Sequence, residues 1–261
     1  MRAIPAVLDP DVVTEIDRRL AGVAREHDVE IPWAIESGSR AWGFPSPDSD
    51  YDCRFVFVRP RERYLSLWPE RDVIETPLDA VFDVNGWDLA KSVRLIAKGN
   101  ATAVEWLRSP IVYTGDPAFR DGLLDLADRI VERGSIGRHY LHVARQQRAG
   151  ARSLKRFFYV LRPAAALRWL EVHPAQAVPP MDLPTLIDEG DVADHVRTAV
   201  HDLIALKAQT RELGSGTPPT ILESFVTAQL ERAEVYEHAA PERRADDVRA
   251  MADEYFLSLL R

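Results

Sequence analysis

The sequence predicts an α+β fold, a small mixed β-sheet core with flanking helices followed by an all-helical C-terminal domain. Two observations carry that reading. Short β-prone runs bounded by Gly, Pro and Asp occupy residues 31–87, between segments of helical spacing. From residue 117 onward apolar residues recur at helical intervals, interrupted around 174–190 and 214–219 by prolines and glycines. The 261 residues suffice for one large domain or two modest ones. The change of character divides the chain into units 1–125 and 126–261.

The elements follow in order. Residues 9–27 open with Asp9-Pro10 and carry apolar residues at 12, 13, 16, 20, 23 and 24, which is helical spacing. IPWAIES (31–37) reads as a short strand and the Gly/Ser/Pro-rich 38–49 as a loop. CRFVFV (53–58) is a strand ended by Arg59-Pro60, and RERYLSLW a helical turn. DVIET and DAVFDVNGW, separated by Pro77-Leu78, form a hairpin. Asp88 is placed to cap the helix DLAKSVRLIAKG, which stops at Gly99-Asn100. Residues 117–132, 135–161, 164–172, 192–212, 221–239 and 244–260 read as helices.

Composition narrows the function classes. No apolar run approaches a membrane span, and the N-terminus lacks the apolar core and cleavage site of a signal peptide. A single cysteine, Cys53, excludes an internal disulfide framework and a Cys-rich zinc site. A cytoplasmic protein is the expectation. The net charge of −8 argues against broad coating of nucleic acid. Yet nine Lys or Arg and no Asp or Glu lie between Arg133 and Leu170. Such a segment suggests a local anion site, or else a solvated helix surface.

The stretch ESGSRAWGFPSPDSDYDCRF (36–55) carries the chemistry. Asp50 and Asp52 stand at i and i+2 at the head of a strand, so both side chains leave one face. Two carboxylates so close repel unless a cation or proton sits between them. Hard oxygen donors at this spacing suit magnesium, which completes its coordination with water and substrate phosphates. Asp83 offers a third carboxylate from an adjacent strand, as a two-metal site needs. Asp79 and Asp88 compete for that role but read as strand-start and helix-cap residues. Gly38 permits a sharp turn and close approach, and Ser39 with neighbouring N–H groups can bind phosphate oxygens. An acidic turn is the simpler explanation of the DxD alone.

Gly38-Ser39, ten residues, then Asp50-Tyr51-Asp52 resembles the nucleotidyltransferase signature of the DNA polymerase β superfamily. The longer wording, with NGWDL, EWLRSPIVY and FFYVLRP, is similar to the bacterial RlaP group, the RNA ligase-associated, YcgL-like nucleotidyltransferases. The resemblance runs from about residue 31 to 172. It implies a nucleotidyltransferase core in residues 1–125 and a helical nucleotide- and substrate-binding unit in 126–261. It further implies that Asp50 and Asp52 bind Mg2+ or Mn2+ bridging a nucleoside triphosphate such as ATP. Asp83 would ligate a second ion or help deprotonate the acceptor, or alternatively pair with an arginine. Gly38 and Ser39 would grip the triphosphate.

Other residues keep two readings. Arg54 continues the Asp50, Asp52 face and either neutralises phosphate or holds the carboxylates when no metal is bound. Arg40 either reaches the triphosphate or tethers the loop. Trp42 and Phe44 pack the loop or stack a base. Arg148, Arg152, Lys155, Tyr159 and Arg162 form a stripe at three- and four-residue steps. That stripe either walls the nucleotide or pairs with acids elsewhere. The function expected is metal-dependent transfer of an NMP from an NTP to an acceptor hydroxyl on RNA, a small molecule or a protein. The rival is a non-catalytic nucleotide-binding protein of the same fold.

Overall fold

A computed structural model describes residues 1–77, 79–150, 153–210 and 216–260. Helix α1 (Pro10–His27) starts where the Asp9 side chain accepts from Asp11 N. Strand β1 (Glu30–Glu36) leads into the one-turn helix α2 (Gly38–Ala41), and after a loop comes β2 (Tyr51–Val58). The turn α3 (Arg61–Tyr64) precedes the hairpin of β3 (Val73–Glu75) and β4 (Phe82–Asp88). Asp88 then caps α4 (Leu89–Ala97), accepting from Ala90 N at 2.7 Å. Next come α5 (Ala101–Arg108), β5 (Val112–Gly115) and α6 (Pro117–Ile130).

The five strands lie in the order β3-β4-β2-β1-β5. Among the described residues only the β2–β4 pair is parallel; the other neighbours run antiparallel, so the sheet is mixed. Alternation assigns the two faces. Cys53, Phe55 and Phe57 point to the face covered by Ile16, Leu20 and Val23 of α1. Val56 points the other way, into a core with Leu89, Val93 and Ile96 of α4. Asp52 and Arg54 share the Val56 face but precede it, where the helical cover ends.

The C-terminal half is helical as expected: α7 (Arg133–Arg148), α8 (Leu154–Val172), α9 (Leu183–Glu189), α10 (Asp194–Gln209), α11 (Thr220–Arg232), a 3-10 turn (Ala233–Tyr236) and α12 (Ala245–Leu259). Its centre is α8, whose residues Phe158, Leu161 and Ala164–Ala166 are buried.

Several boundaries differ from the sequence reading. The helix expected over 135–161 is two, α7 and α8. Gly150 weakens helix there, and Ser153 caps the second one by accepting from Arg156 N. Conversely, Pro163 does not divide α8 from the helix expected at 164–172; the continuous helix is held by burial, which outweighs one lost backbone hydrogen bond. Helices α5 and α9 and strand β5 were not expected. For α9, Pro184 stands in the first turn, where proline starts a helix rather than breaking one. No helix among the described residues is long and apolar enough to cross a membrane.

Candidate active site

The site is assembled where β1 ends, α2 turns and β2 begins. Ser37 N donates to Asp52 O at 2.8 Å, pinning the turn to the head of β2. Gly38 follows with φ +58°, a conformation that side chains rarely adopt. A Cβ there would lie 1.8 Å from Asp52 Oδ2. The close approach the glycine permits is therefore to the carboxylate itself.

Asp52 and Asp83 are register partners in the parallel ladder of β2 and β4. Arg54 joins them. Its Nη2 donates to Asp52 Oδ1 at 3.0 Å and to Asp83 Oδ2 at 2.6 Å, while Nη1 reaches Asp83 O at 2.7 Å. Both sequence alternatives, Asp83 pairing with an arginine and Arg54 holding the carboxylates, describe this arrangement. Burial raises the Asp52 carboxyl above its ordinary range; Arg54 opposes, and the charges of Asp83 and Asp50 push it further up. Asp50 is exposed and near enough for its charge to act on Asp52. Among the described residues no three His, Cys, Asp or Glu groups converge into a metal cage. Asp79 and Asp88 are elsewhere: Asp79 accepts from Val81 N and Phe82 N and pairs with Arg19, and Asp88 caps α4.

The loop between α2 and β2 is internally tied. Ser39 Oγ donates to Ser49 Oγ at 3.0 Å, and Ser49 Oγ also accepts from Ser46 N. Arg40 donates to Ser49 O and Asp50 O and lies 3.8 Å over the Tyr51 ring, which is the tethering role. Phe44 is fully buried and stacks on Phe158 at 4.7 Å. Trp42 lies edge-on to Tyr159 and under the Arg162 guanidinium. Both aromatics act in packing.

The basic stripe disperses. Arg162 is buried, donating to Glu105 Oε1 at 2.8 Å and to Met181 O, so it anchors the interior. Arg148 donates to Thr227 Oγ1; elsewhere in the basic segment Arg145 pairs with Glu237 and Arg168 with Glu171. Arg152 lies outside the described residues. Lys155 is exposed and without an ion pair among the described residues. Tyr159 faces the acids: burial raises its hydroxyl pKa, with Asp52 and then Asp50 adding to the rise.

Sequence reasoning passed over Glu36. Fully buried, it accepts from Asp52 N at 3.0 Å and from the Tyr113 hydroxyl at 2.6 Å, so it supports the backbone of Asp52 from below. Burial pushes its carboxyl up to about 7, against the two hydrogen bonds. The available signal was an acid closing an otherwise apolar strand. The second omission is Lys207, a buried lysine on α10. It falls outside the basic segment, and only the fold brings it to the loop.

A family model described as RlaP: RNA repair pathway DNA polymerase beta family matches residues 12–258. The chain is 35% identical over 226 residues to the uncharacterized protein YcgL of Bacillus subtilis (strain 168), covering 85% of each chain. The crystal structure of a nucleotidyltransferase-like protein from Exiguobacterium sibiricum 255-15 aligns over 94% of this chain and 79% of its own. Its identity is 13% and its TM-score 0.33.

Proposed function

The chain belongs to the RlaP family, and from that premise we propose that it is a divalent-metal-dependent nucleotidyltransferase. It would move an NMP from an NTP to an acceptor hydroxyl and release pyrophosphate. The observation that supports this most is the pairing of Asp52 with Asp83 across two parallel strands, both carboxylates bound to one guanidinium.

The donor set fits a hard cation. The pair already accommodates the charge of Arg54, and Asp52 remains destabilised by burial and by Asp83 and Asp50. Magnesium is commonly held by one or two carboxylates, with water and substrate phosphates completing the shell. Asp52 and Asp83 would hold the ion, Mg2+ or Mn2+, with Asp50 as the outer carboxylate. When bound, the ion neutralises phosphate oxygens and favours ionisation of the acceptor.

The chain's own groups do the rest. Gly38 lets the α2 turn lie against Asp52, and the backbone N–H groups that open α2 have no intrahelical partners. They are the donors for phosphate oxygens. Asp83 would either ligate the ion or help take the acceptor's proton on a carboxylate oxygen. Arg54 keeps both carboxylates oriented, and Glu36 fixes the backbone beneath Asp52. Positioning and charge neutralisation supply most of the rate in such displacements.

The test is incubation with each NTP, labelled at the α-phosphate, with Mg2+ or Mn2+ and RNA, small-molecule and protein acceptors. Pyrophosphate release that disappears in Asp52→Asn and Asp83→Asn supports the reading. No release with any acceptor, together with unchanged NTP binding in Asp52→Asn, favours the non-catalytic alternative. An RNA acceptor requires affinity that falls steeply with salt.

A further inference from the structure

Beside the carboxylate row of β2 and β4 runs a second row, two residues further along both strands. Asp52 is the register partner of Asp83, and Arg54 that of Asn85. Residues two apart on a strand share a face, so a row of acceptors lies against a row of donors. Asn85, half-buried, donates from Nδ2 to Asp83 Oδ1, while Arg54 Nη2 donates to Asp83 Oδ2. A carboxamide beside a carboxylate must turn its NH2 toward it, because an ionised carboxylate only accepts. Both oxygens of Asp83 are therefore held, each by a different residue.

Asp52 is held by less. Among the described residues its carboxylate accepts only from Arg54, through the same Nη2 that serves Asp83. The other nitrogen, Nη1, is spent on Cys53 O and Asp83 O, which fixes the guanidinium to the backbone. A cation between the two acids competes for the oxygens that Nη2 occupies. Asp52 then loses its one side-chain donor, whereas Asp83 keeps Asn85. The neighbour of Asn85 on β3, its register partner Glu75, pairs with Arg71.

We propose that Asn85 is a positioning residue for the candidate cation site: it fixes the Asp83 carboxylate through Oδ1 and leaves Oδ2 to pass from Arg54 to a divalent ion. This rests on the nucleotidyltransferase reading and adds to it a residue of β4 that acts through Asp83. Partners of this kind orient a metal-binding carboxylate, and their loss costs on the order of 10–100-fold in metal affinity.

Titration of the full-length protein with Mn2+, with and without NTP, followed by the paramagnetic resonance of the free ion, tests this. Asn85→Leu keeps the bulk of the side chain and removes the donor. It should weaken Mn2+ on the order of 10–100-fold and leave the melting temperature in EDTA nearly unchanged, since Arg54 still holds both acids. Asn85→Gln retains an NH2 and should recover most of the affinity. Should Asn85→Leu not fold, Asn85→Ser, which withdraws the donor by shortening the side chain, takes its place. Wild-type Mn2+ affinity in the donor-less variant, or a Gln variant as weak as that one, overturns the positioning role and leaves the nucleotidyltransferase reading standing. A wild type that binds no Mn2+ even with NTP present overturns both.

Discussion

Gly38 presses its backbone against the Asp52 carboxylate so closely that a Cβ would stand 1.8 Å from Oδ2. Gly38→Ala must therefore displace Asp52 and also hold a non-glycine residue at positive φ. The expected cost is about 1–3 kcal/mol of stability. Misplacing a reacting group by an ångström costs on the order of 100-fold in rate, so pyrophosphate release should fall by that order. Urea denaturation alongside a turnover assay separates the two effects; a variant with wild-type turnover would show that the Gly38–Asp52 contact is dispensable.

Arg54 pairs with two carboxylates at once. Arg54→Met should lower stability by about 1–3 kcal/mol, since the group is only partly buried. Millimolar Mg2+ should restore part of that loss by taking over the neutralisation. Denaturation midpoints with and without Mg2+ check this, and a variant blind to Mg2+ would argue against a cation site between Asp52 and Asp83.

Glu36 makes stability depend on pH. Its folded carboxyl sits at about 7 against an ordinary 4.5, so between those values the folded state binds more protons than the unfolded chain. Stability from this group is therefore full below about pH 4.5 and is lost as pH rises toward 7, by about 3 kcal/mol at most. Glu36→Gln removes that slope. Subtracting the variant's denaturation curve from the wild type's across pH 4.5 to 8 isolates the contribution, and equal slopes would refute it.

Glu105 and Arg162 form an interior pair with the Tyr140 hydroxyl donating to Glu105 Oε1. Glu105→Leu strands a buried guanidinium and should cost about 3–5 kcal/mol. Adding Arg162→Met to that variant should recover much of the loss. If Arg162→Met instead weakens NTP binding while leaving the melting temperature unchanged, the anchoring role assigned to Arg162 is wrong.

Strands β1 to β4 and the adjacency of the strands carrying Asp52 and Asp83 were legible, because period-two alternation and β-propensity are local and strong in CRFVFV and AVFDVNGW, whereas β5 was not. The Asp88 cap was equally legible. Partner choice was not. Arg162 shares a helical stripe with Lys155 and Tyr159, yet Glu105, far off in the chain, draws it inward. Ser39 looks like a free hydroxyl until Ser49 meets it across the loop. Glu36 and Lys207 escaped because burial of a single charge is decided by elements distant in sequence. Likewise Pro163 reads locally as a breaker, and only the packing around α8 shows why it is tolerated.

The β2–β4 ladder sets Asp52 opposite Asp83 through the backbone pairing of the two strands. The chain between α3 and β3 is thus a detour that does not itself set the spacing of the two carboxylates. By contrast, a single residue gained or lost inside either strand would send one carboxylate to the α1 side of the sheet and part it from the other. Lineages, or engineers, are free to decorate the detour and must leave the rungs alone.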